Sequence, residues 1–410
     1  MLLKSEIEQA FLIQQEMLAQ PANTIKRVQL KKIAAENDFI QVISGIRRCG
    51  KSTLLHQIMT NYRKIAYFNF EDPRVTNFEV SDFPKLDEII PVDTQAYFFD
   101  EIQNVPQWEI YIRRLRDNTK KVFVTGSNAS LLSKELGTRL TGRYLSIELF
   151  PFSYPEYLTF SKQKNSIENF ESYLQEGGFP EFLKTQNPEV LQNLLKDIVL
   201  RDIAIRYKVR NTKILLDIAL FLISNIGKET TYNSLKKTFQ VGSANTISDY
   251  LGWMEDAYLL FFLQKFSWSA KNRMVNPRKT YAIDNGLIKA NSLSFTSDYG
   301  RLLENAVMVY FRSNRVSMYY FKEKYECDLL LFNRTKCQMP VQVCYDLNND
   351  NEQREINGLL EAIHFFDLDE GYIITLGQKD TLTVENKKII IVPAHQFFTD
   401  ENFIEKFLEK

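Results

Sequence analysis

The chain has 410 residues, with 51 basic and 51 acidic side chains and therefore no formal net charge. This length predicts two to four domains with their own cores, and the balanced charge excludes a global attraction to nucleic acid or anionic lipid, so that such binding requires a local basic patch. The four cysteines share no C-x-x-C spacing, no run of 18 apolar residues occurs and the N-terminus lacks a signal-peptide pattern, which together predict a cytoplasmic protein without a zinc site, a disulfide framework or a membrane span.

The first predicted elements are a strand over residues 39–44 and a helix over residues 52–60, joined by a G-x-x-x-x-G-K-[ST] loop. The two glycines of such a loop let backbone N–H groups turn inward toward a polyphosphate, and the helix N-terminus adds a favourable dipole. Lys51 is expected to reach the β- and γ-phosphates, and the hydroxyl of Ser52 to ligate Mg²⁺. The predicted nucleoside triphosphate site comprises Gly45, Ile46, Arg47, Arg48, Cys49, Gly50, Lys51, Ser52 and Thr53.

A second predicted strand, over residues 65–70, leads into an acidic turn. Glu71 and Asp72 in this turn have two interpretations. They approach the outer shell of the metal or the attacking water, or they belong to a turn that is salt-bridged to Arg74.

A third apolar run, residues 95–99, ends in Asp100 and Glu101. An apolar strand that ends in these two acids is typical of a Walker B motif. Asp100 is expected to hold the hydration shell of Mg²⁺, and Glu101 to polarise the attacking water. The presence of both acids favours hydrolysis over passive binding.

A further apolar strand begins at Lys121 and ends in polar residues, and a loop rich in glycine and arginine precedes a fifth strand. The motifs of the first 150 residues resemble those of a large prokaryotic family of AAA+ ATPases that are fused to a C-terminal domain of unknown function and related to the archaeal ATPase and STAND groups. The matching segments are Gly-Ile-Arg-Arg-Cys-Gly-Lys-Ser (45–52), Phe-Glu-Asp-Pro-Arg (70–74), Phe-Phe-Asp-Glu-Ile-Gln (98–103), Thr-Gly-Ser-Asn (125–128) and Leu-Thr-Gly-Arg-Tyr (140–144). The resemblance extends over nearly the whole chain and implies an AAA+ fold and ATP rather than GTP.

The resemblance also implies roles for polar residues near the strand ends. Ser127 or Asn128 is expected to be sensor 1, which orients water against the γ-phosphate. Arg143 or Arg139 corresponds to an arginine finger that enters the nucleotide site of a neighbouring subunit, which implies a homo-oligomer. The alternative for the arginine is a loop residue that caps a helix C-terminus.

Residues 151–215 are rich in aromatic and helical patterns and suit the helical lid that packs beside the nucleotide in AAA+ proteins. Arg201 or Arg206 in this segment is either a second sensor or an ordinary surface arginine. The apolar residues that fall on one helix face are Leu195, Ile198, Val199 and Ile203.

Residues 216–292 resemble a winged helix. Two short helices are predicted on either side of Gly242, the second being a recognition helix that starts at Ser243 or Asn245 and ends at Glu255, followed by a hairpin over residues 259–283 as the wing. This segment has the composition of a site for duplex DNA over residues 243–279, of a protein-contact module, or of a solvated hairpin tip. The basic residues of the predicted patch, among which no acid occurs, are Lys265, Lys271, Arg273, Arg278 and Lys279.

Residues 293–410 have the order of elements of a PD-(D/E)xK nuclease, with Glu304 on a helix and Asp328 on a strand as metal ligands. The next strand carries Gln342 and Cys344 where the E-x-K motif requires glutamate and lysine. A neutral amide is a poor Mg²⁺ ligand beside a carboxylate, and a thiol cannot supply the charge of lysine. The sequence therefore predicts an inactive nuclease-like module used for binding.

The combined prediction is an α/β protein: a P-loop AAA+ parallel sheet (1–150), a helical lid, a winged helix-turn-helix and a restriction-endonuclease-like domain. Its predicted function is Mg²⁺-dependent ATP hydrolysis coupled to DNA or protein binding, the alternative being a slow STAND-type nucleotide switch that acts on a protein partner without DNA. The predicted metal ligands are Ser52 and Asp100. The predicted catalytic residues are Glu101, Lys51, Arg143 and Asn128.

Overall fold

The computed structural model describes residues 1–18, 24–33, 39–128, 143–293, 298–400 and 402–409. Along the chain, the contacts separate two units, Met1–Phe150 and Pro151–Lys410. Within the described ranges, no helix is both long enough and apolar enough to cross a membrane.

A parallel five-stranded sheet forms the centre of the first unit. Its strands are β1 (Ile40–Gly45), β2 (Ile65–Asn69), β3 (Ala96–Asp100), β4 (Lys121–Gly126) and β5 (Tyr144–Leu149). They lie in the order β2-β3-β4-β1-β5, and every neighbouring pair is parallel. All residues of β1 and β3 are buried, as expected of parallel strands that helices cover on both faces.

In the part of the unit that the structure describes, the α-helices beside this sheet are α1 (Lys4–Leu18), α2 (Lys51–Met59), α3 (Phe83–Ile89) and α4 (Trp108–Asp117). Short 3-10 helices cover Val28–Lys32, Pro73–Val75, Val80–Asp82 and Ile102–Asn104. The apolar faces of α1, α3 and α4 share one core with alternate strand residues such as Phe68 and Phe99. Aromatic side chains dominate this core, and the rings of Phe83 and Tyr111 stack with their centroids 3.9 Å apart.

The strand order determines where the polar strand ends meet. Because β4 lies between β1 and β3 and all three run in the same direction, their carboxyl ends converge at one edge of the sheet. The segments that follow these three strands are the predicted phosphate loop, the Walker B acids and the predicted sensor residues.

The second unit begins with helices. These are α5 (Tyr154–Ser161), α6 (Ile167–Glu176), α7 (Pro180–Thr185), α8 (Pro188–Asp197) and α9 (Thr212–Ser224), with a π-helical segment at Ile198–Ile205. The four residues predicted on one helix face, at positions 195, 198, 199 and 203, are all buried. The segment predicted as a lid bonds to residues far along the same unit, since the Gly178 N–H donates to the Asp284 carboxylate at 2.6 Å.

A small antiparallel sheet of three strands follows, in the order β6-β8-β7. Its elements in chain order are β6 (Glu229–Thr230), α10 (Tyr232–Thr238), α11 (Ala244–Asp256), β7 (Leu260–Gln264), α12 (Ala270–Val275) and β8 (Arg278–Ala282). The helix at the predicted recognition position, α11, carries Asp249, Glu255 and Asp256 and no basic residue.

The predicted basic patch requires one correction. Lys279 is only 2% exposed, because it lies on β8 with its ammonium group among carboxylates. It therefore does not belong to the surface of the hairpin and cannot contact a phosphate backbone in this structure. Lys271, in α12, is exposed.

The remainder of the second unit is built on a mixed six-stranded sheet in the order β13-β14-β12-β11-β10-β9. Its strands are β9 (Ser317–Lys322), β10 (Glu326–Asn333), β11 (Lys336–Val343), β12 (Glu370–Thr375), β13 (Asp380–Val384) and β14 (Lys387–Pro393). Its helices are α13 (Asn285–Asn291), α14 (Tyr299–Ser313), α15 (Glu352–Phe365), α16 (Ala394–Phe397) and α17 (Asn402–Glu409). The small sheet joins this one at its edge, where Lys265 pairs with Tyr320 of β9.

Candidate nucleotide site

The predicted phosphate loop connects β1 to α2, and its two glycines are required by different constraints. A Cβ atom on Gly45 would lie 2.1 Å from the carbonyl oxygen of Leu149, so only glycine fits between the loop and β5. Gly50 has a φ of 100°, a left-handed conformation that glycine adopts without strain. Together they allow the loop to turn so that α2 begins at Lys51 with its N-terminal N–H groups at the carboxyl edge of the sheet, which is a suitable position for an anion.

Two side chains stabilise the loop through contacts with backbone carbonyl oxygens. Arg27 is 2% exposed and donates to the carbonyl oxygens of Cys49 and Phe150, both at 2.7 Å. The Cys49 thiol lies 3.4 Å from the carbonyl oxygen of Leu149, and burial raises its pKa, so it is a neutral thiol. The role of Arg27 was not predicted, because it lies 22 residues before the cysteine that it contacts.

Lys51 lies at the centre of the site with 4% of its surface exposed. Its Nζ is 3.2 Å from the carbonyl oxygens of Gly45 and Ile46 and 3.4 Å from a carboxylate oxygen of Glu101. Burial lowers the pKa of Lys51, but the neighbouring groups, chiefly Glu101, together outweigh burial and the pKa lies above its usual value. The ammonium group is thus charged and available to a phosphate.

The two acids at the end of β3 have opposite electrostatic environments. Burial and the charge of Glu101 raise the pKa of Asp100. Burial also acts to raise the pKa of Glu101, but the charge of Lys51 and hydrogen bonds from Gln103 and Ser127 outweigh it and hold this pKa below its usual value. Glu101 is therefore ionised and can accept a proton.

Thr125, at the end of β4, connects the two acids. Its hydroxyl donates to the Asp100 carboxylate and accepts from the Glu101 N–H at 3.0 Å, and its side chain is fully buried. Tyr67 on β2 donates to the other Asp100 oxygen at 3.2 Å. Neither residue was predicted, because their contacts depend on which strands are neighbours; the polar ends of the two apolar strands were the available signal.

Of the two residues predicted as sensor 1, Ser127 contacts Glu101 directly, with its hydroxyl 3.0 Å from a carboxylate oxygen. Asn128 follows it at the strand end and is 2% exposed. Both residues therefore lie at the edge of the sheet where Lys51 and the Walker B acids meet. Their roles toward a nucleotide remain predictions.

The two acids of the turn after β2 each fit a different one of the two interpretations. Asp72 forms the turn ion pair with Arg74 at 2.5 Å, and the hydrogen bond from Arg74 helps to lower the pKa of Asp72 to about 2. Glu71 instead pairs with Arg47 of the phosphate loop at 2.5 Å. Glu71 is thus tied to the nucleotide site, whereas Asp72 stabilises its own turn.

Arg143 lies at the opposite end of the sheet from the phosphate loop of its own chain. The Ile40 N–H donates to its carbonyl oxygen at the start of β1, whereas the loop follows the end of β1. The six residues of β1 span roughly 20 Å. The guanidinium of Arg143 is half exposed and lies 3.4 Å from Asp117, and Arg139 lies outside the described residues.

The predicted metal ligands of the last domain come together in the structure. Glu304 on α14 and Asp328 on β10 both contact the ammonium of Lys279. Gln342 on β11 accepts from the Asp328 N–H at 3.2 Å, and burial raises the pKa of Cys344 to about 11. Among the residues that the structure describes, no group of three or more His, Cys, Asp or Glu is arranged to hold a metal ion.

The sheet order, the loop with its two constrained glycines and the paired acids define the first unit as a P-loop AAA+ ATPase domain. Residues 37–158 match the AAA domain family, and residues 167–298 match a domain of unknown function, DUF8612.

The sequence similarity to relatives extends beyond the first unit. The chain is 36% identical to Uncharacterized protein MJ1544 of Methanocaldococcus jannaschii over 91% of this chain and 90% of that protein, and it belongs to the same family. An uncharacterized protein of Haemophilus influenzae is 34% identical over 67% of this chain and 74% of its own length. Among solved structures, AMPPCP-bound DnaA from Aquifex aeolicus is similar with a TM-score of 0.28 and 12% identity, over 60% of this chain and 88% of that chain.

Proposed function

We propose that the first unit binds ATP with Mg²⁺ and hydrolyses it, with Glu101 as the base that activates water. The observation that supports this most strongly is the placement of both Walker B acids at Thr125, with Lys51 beside Glu101. An ionised Glu101, 3.4 Å from a charged lysine and fixed through its backbone N–H, is a preorganised base beside a phosphate-binding cation.

The residues of the site fit both proposed cofactors. The loop provides the backbone donors and Lys51 the charge for a triphosphate. The Ser52 side chain is exposed and hydrogen-bonds to the Asp100 carboxylate, so a hydroxyl and a carboxylate oxygen, the ligand types that Mg²⁺ prefers, lie together. A bound Mg²⁺ would neutralise negative charge on the phosphates.

The residues of the site are proposed to position the phosphates, the base and the metal, and to orient the water. Lys51 holds the phosphates near Glu101, and Glu101 takes a proton from water at its carboxylate. Ser127 keeps that carboxylate in place, and Asn128 at the adjacent strand end orients the water. Thr125 and Tyr67 donate hydrogen bonds that hold the Asp100 carboxylate in position as a metal ligand.

We propose in addition that Arg143 acts in trans in a homo-oligomer. Because β1 separates it from its own loop by roughly 20 Å, its half-exposed guanidinium is suited to a neighbouring subunit's site and not to its own. The ion pair with Asp117 is a surface contact that costs little to exchange for a phosphate.

The second unit is proposed to couple the nucleotide state to a partner through residues 243–279. Three observations favour a protein over duplex DNA. The helix at the recognition position has three acids and no base, and Lys279 is buried. Trp268 and Met274 are 71% and 68% exposed on the same hairpin, which suits a protein contact. This supports the alternative function, a slow nucleotide switch that acts on a protein.

Residues 293–410 are proposed to be an inactive nuclease-like module. The Gln342 amide is occupied, since it accepts from Asp328 and donates to Glu355, and Cys344 is a neutral thiol near pH 7. Neither side chain replaces the missing glutamate and lysine.

A cytoplasmic location is consistent with the four buried free cysteines.

The test of ATP hydrolysis is phosphate release by purified Glu101→Gln, which should fall by about 10²–10⁴-fold because the base is lost. ATP binding, measured with a fluorescent analogue, should persist in this variant and be lost in Lys51→Ala. Glu88→Gln is the matched control, since Glu88 is an exposed glutamate that pairs with Lys4, and its rate should equal wild type.

Unchanged phosphate release in Glu101→Gln would refute the assigned base. The same assay with and without duplex DNA separates the two proposed partner classes. Stimulation by DNA would contradict the protein-partner interpretation, whereas an unchanged rate agrees with it.

A further inference from the structure

Four charged side chains form a cluster around the buried Lys279 in the second unit, far along the chain from the nucleotide site. The Nζ of Lys279 on β8 lies 3.0 Å from Glu304 on α14, and 2.8 and 2.9 Å from Glu326 and Asp328 on β10. An ammonium group has three N–H donors, and three carboxylates accept them. Only 3% of the Lys279 side chain is exposed.

The carboxylates are held in place by other donors. One Asp328 oxygen accepts from the Val343 N–H at 3.0 Å, and Tyr281 donates to Glu304 at 2.6 Å. Lys322 pairs with Glu326 at 3.0 Å. The cluster is thus a fixed arrangement of oxygens around one central cation and not a mobile surface group.

The ligand type around Lys279, the carboxylate oxygen, is the type that hard divalent cations prefer. Hard cations are bound by carboxylate oxygens that converge on one point, with ligand distances of about 2.0–2.6 Å. Here the three carboxylates converge on nitrogen at hydrogen-bond distances instead. The spacing therefore suits an ammonium ion, and no metal-holding group was found among the described residues.

The charge of the cluster agrees with this arrangement. Three carboxylates around one ammonium carry excess negative charge, so one of them is expected to retain a proton. Burial and the nearby Asp328 raise the pKa of Glu304 to about 7. Burial lowers the pKa of Lys279, but the surrounding acids outweigh it and the lysine remains charged.

We propose that the Lys279 ammonium occupies the position of a divalent cation in this carboxylate cluster, so that β8 is fixed to α14 and β10 without a metal. The lysine comes from the small sheet and the carboxylates from the helix and strand of the larger one. The Lys279 side chain therefore fills the position among the carboxylates that would be open without it.

The experiment replaces Lys279 by methionine in the full chain, without nucleotide. Lys279→Met removes the central cation and leaves the three carboxylates to repel each other, so the melting temperature should fall. Added Mn²⁺ should restore it, and Mn²⁺ binding measured by electron paramagnetic resonance should be about tenfold or more tighter than in wild type. The double variant Lys279→Met with Asp328→Asn should lose this response.

Folded Lys279→Met that binds no more Mn²⁺ than wild type would overturn the proposal, and folding of this variant only with Mn²⁺ would support it. If the variant does not fold in either condition, the titration of wild type and Asp328→Asn decides. Nucleotide-independent Mn²⁺ binding by wild type that disappears in Asp328→Asn contradicts an ammonium-filled site, and equal weak binding by both upholds it.

Discussion

Replacing Thr125 by valine removes one hydroxyl between the two Walker B acids and nearly preserves the shape of the side chain. In the wild-type protein this hydroxyl accepts from the Glu101 N–H at 3.0 Å and donates to Asp100 within a fully buried environment. The Thr125→Val variant leaves a buried N–H without this acceptor and a carboxylate without one of its donors. Because both groups remain buried, water does not replace the lost hydrogen bonds.

The expected effects follow from these two contacts. An unsatisfied buried N–H costs about 1–3 kcal/mol, and a hydrogen bond to a charged group contributes about 1.5–3 kcal/mol. The free energy of unfolding should therefore fall by about 2–5 kcal/mol, allowing for relaxation. Misplacement of the base should lower kcat by about 10–100-fold, while KM for ATP should change little because the phosphate loop is intact.

The assay combines urea unfolding with steady-state phosphate release. Thr125→Ser is the matched control, since it keeps the hydroxyl and loses one methyl group, worth about 1 kcal/mol. Its kcat should stay close to wild type. If Thr125→Val retained the kcat of Thr125→Ser and lost no more stability, the hydroxyl would not hold the acids in place and the reasoning would be refuted.

The remaining predictions concern the finger and the buried cluster. Subunits with Arg143→Ala and subunits with Lys51→Ala should each be inactive and should regain activity when mixed, because each supplies what its neighbour lacks; mixtures that stay inactive would argue against a trans finger. Glu304 has a pKa of about 7 in the folded chain against an ordinary 4.5, so the native state holds its proton more tightly and the free energy of unfolding should fall as the pH rises from 4.5 to 7, by up to about 3 kcal/mol. In Glu304→Gln this decline, followed by urea unfolding across that range, should be smaller, and an identical decline in both proteins would place the titration elsewhere.

The phosphate loop and the Walker B acids could be predicted from sequence because each is a short, contiguous motif. Gly45, Lys51 and Asp100 need only their immediate neighbours to be recognised. Thr125 could not be assigned, because its role arises when β4 inserts between β1 and β3. That order is a property of the whole sheet, and the polar end of β4 alone does not identify the partners of this hydroxyl.

The prediction that Lys279 lies on the surface was wrong, because its partners are distant in the sequence. A run of basic residues without acids predicts a solvated surface, yet the three acids that pair with this lysine lie 25 to 49 residues further along the chain. Tertiary contacts therefore overrode the local pattern. Arg27 was missed for the same reason, since its two acceptors belong to the phosphate loop and to the residue that follows β5.

The position of the charged cluster also bears on what counts as an autonomous piece of this chain. The segment that matches the domain of unknown function ends at residue 298, between Lys279 and all three of its carboxylate partners. A fragment cut at this boundary would keep a lysine built for burial and lose every group that neutralises it, at a cost of several kcal/mol. The segment that matches the domain of unknown function and the sheet that follows it are therefore expected to depend on each other for stability, so that residue 298 is not expected to bound an independently stable fragment.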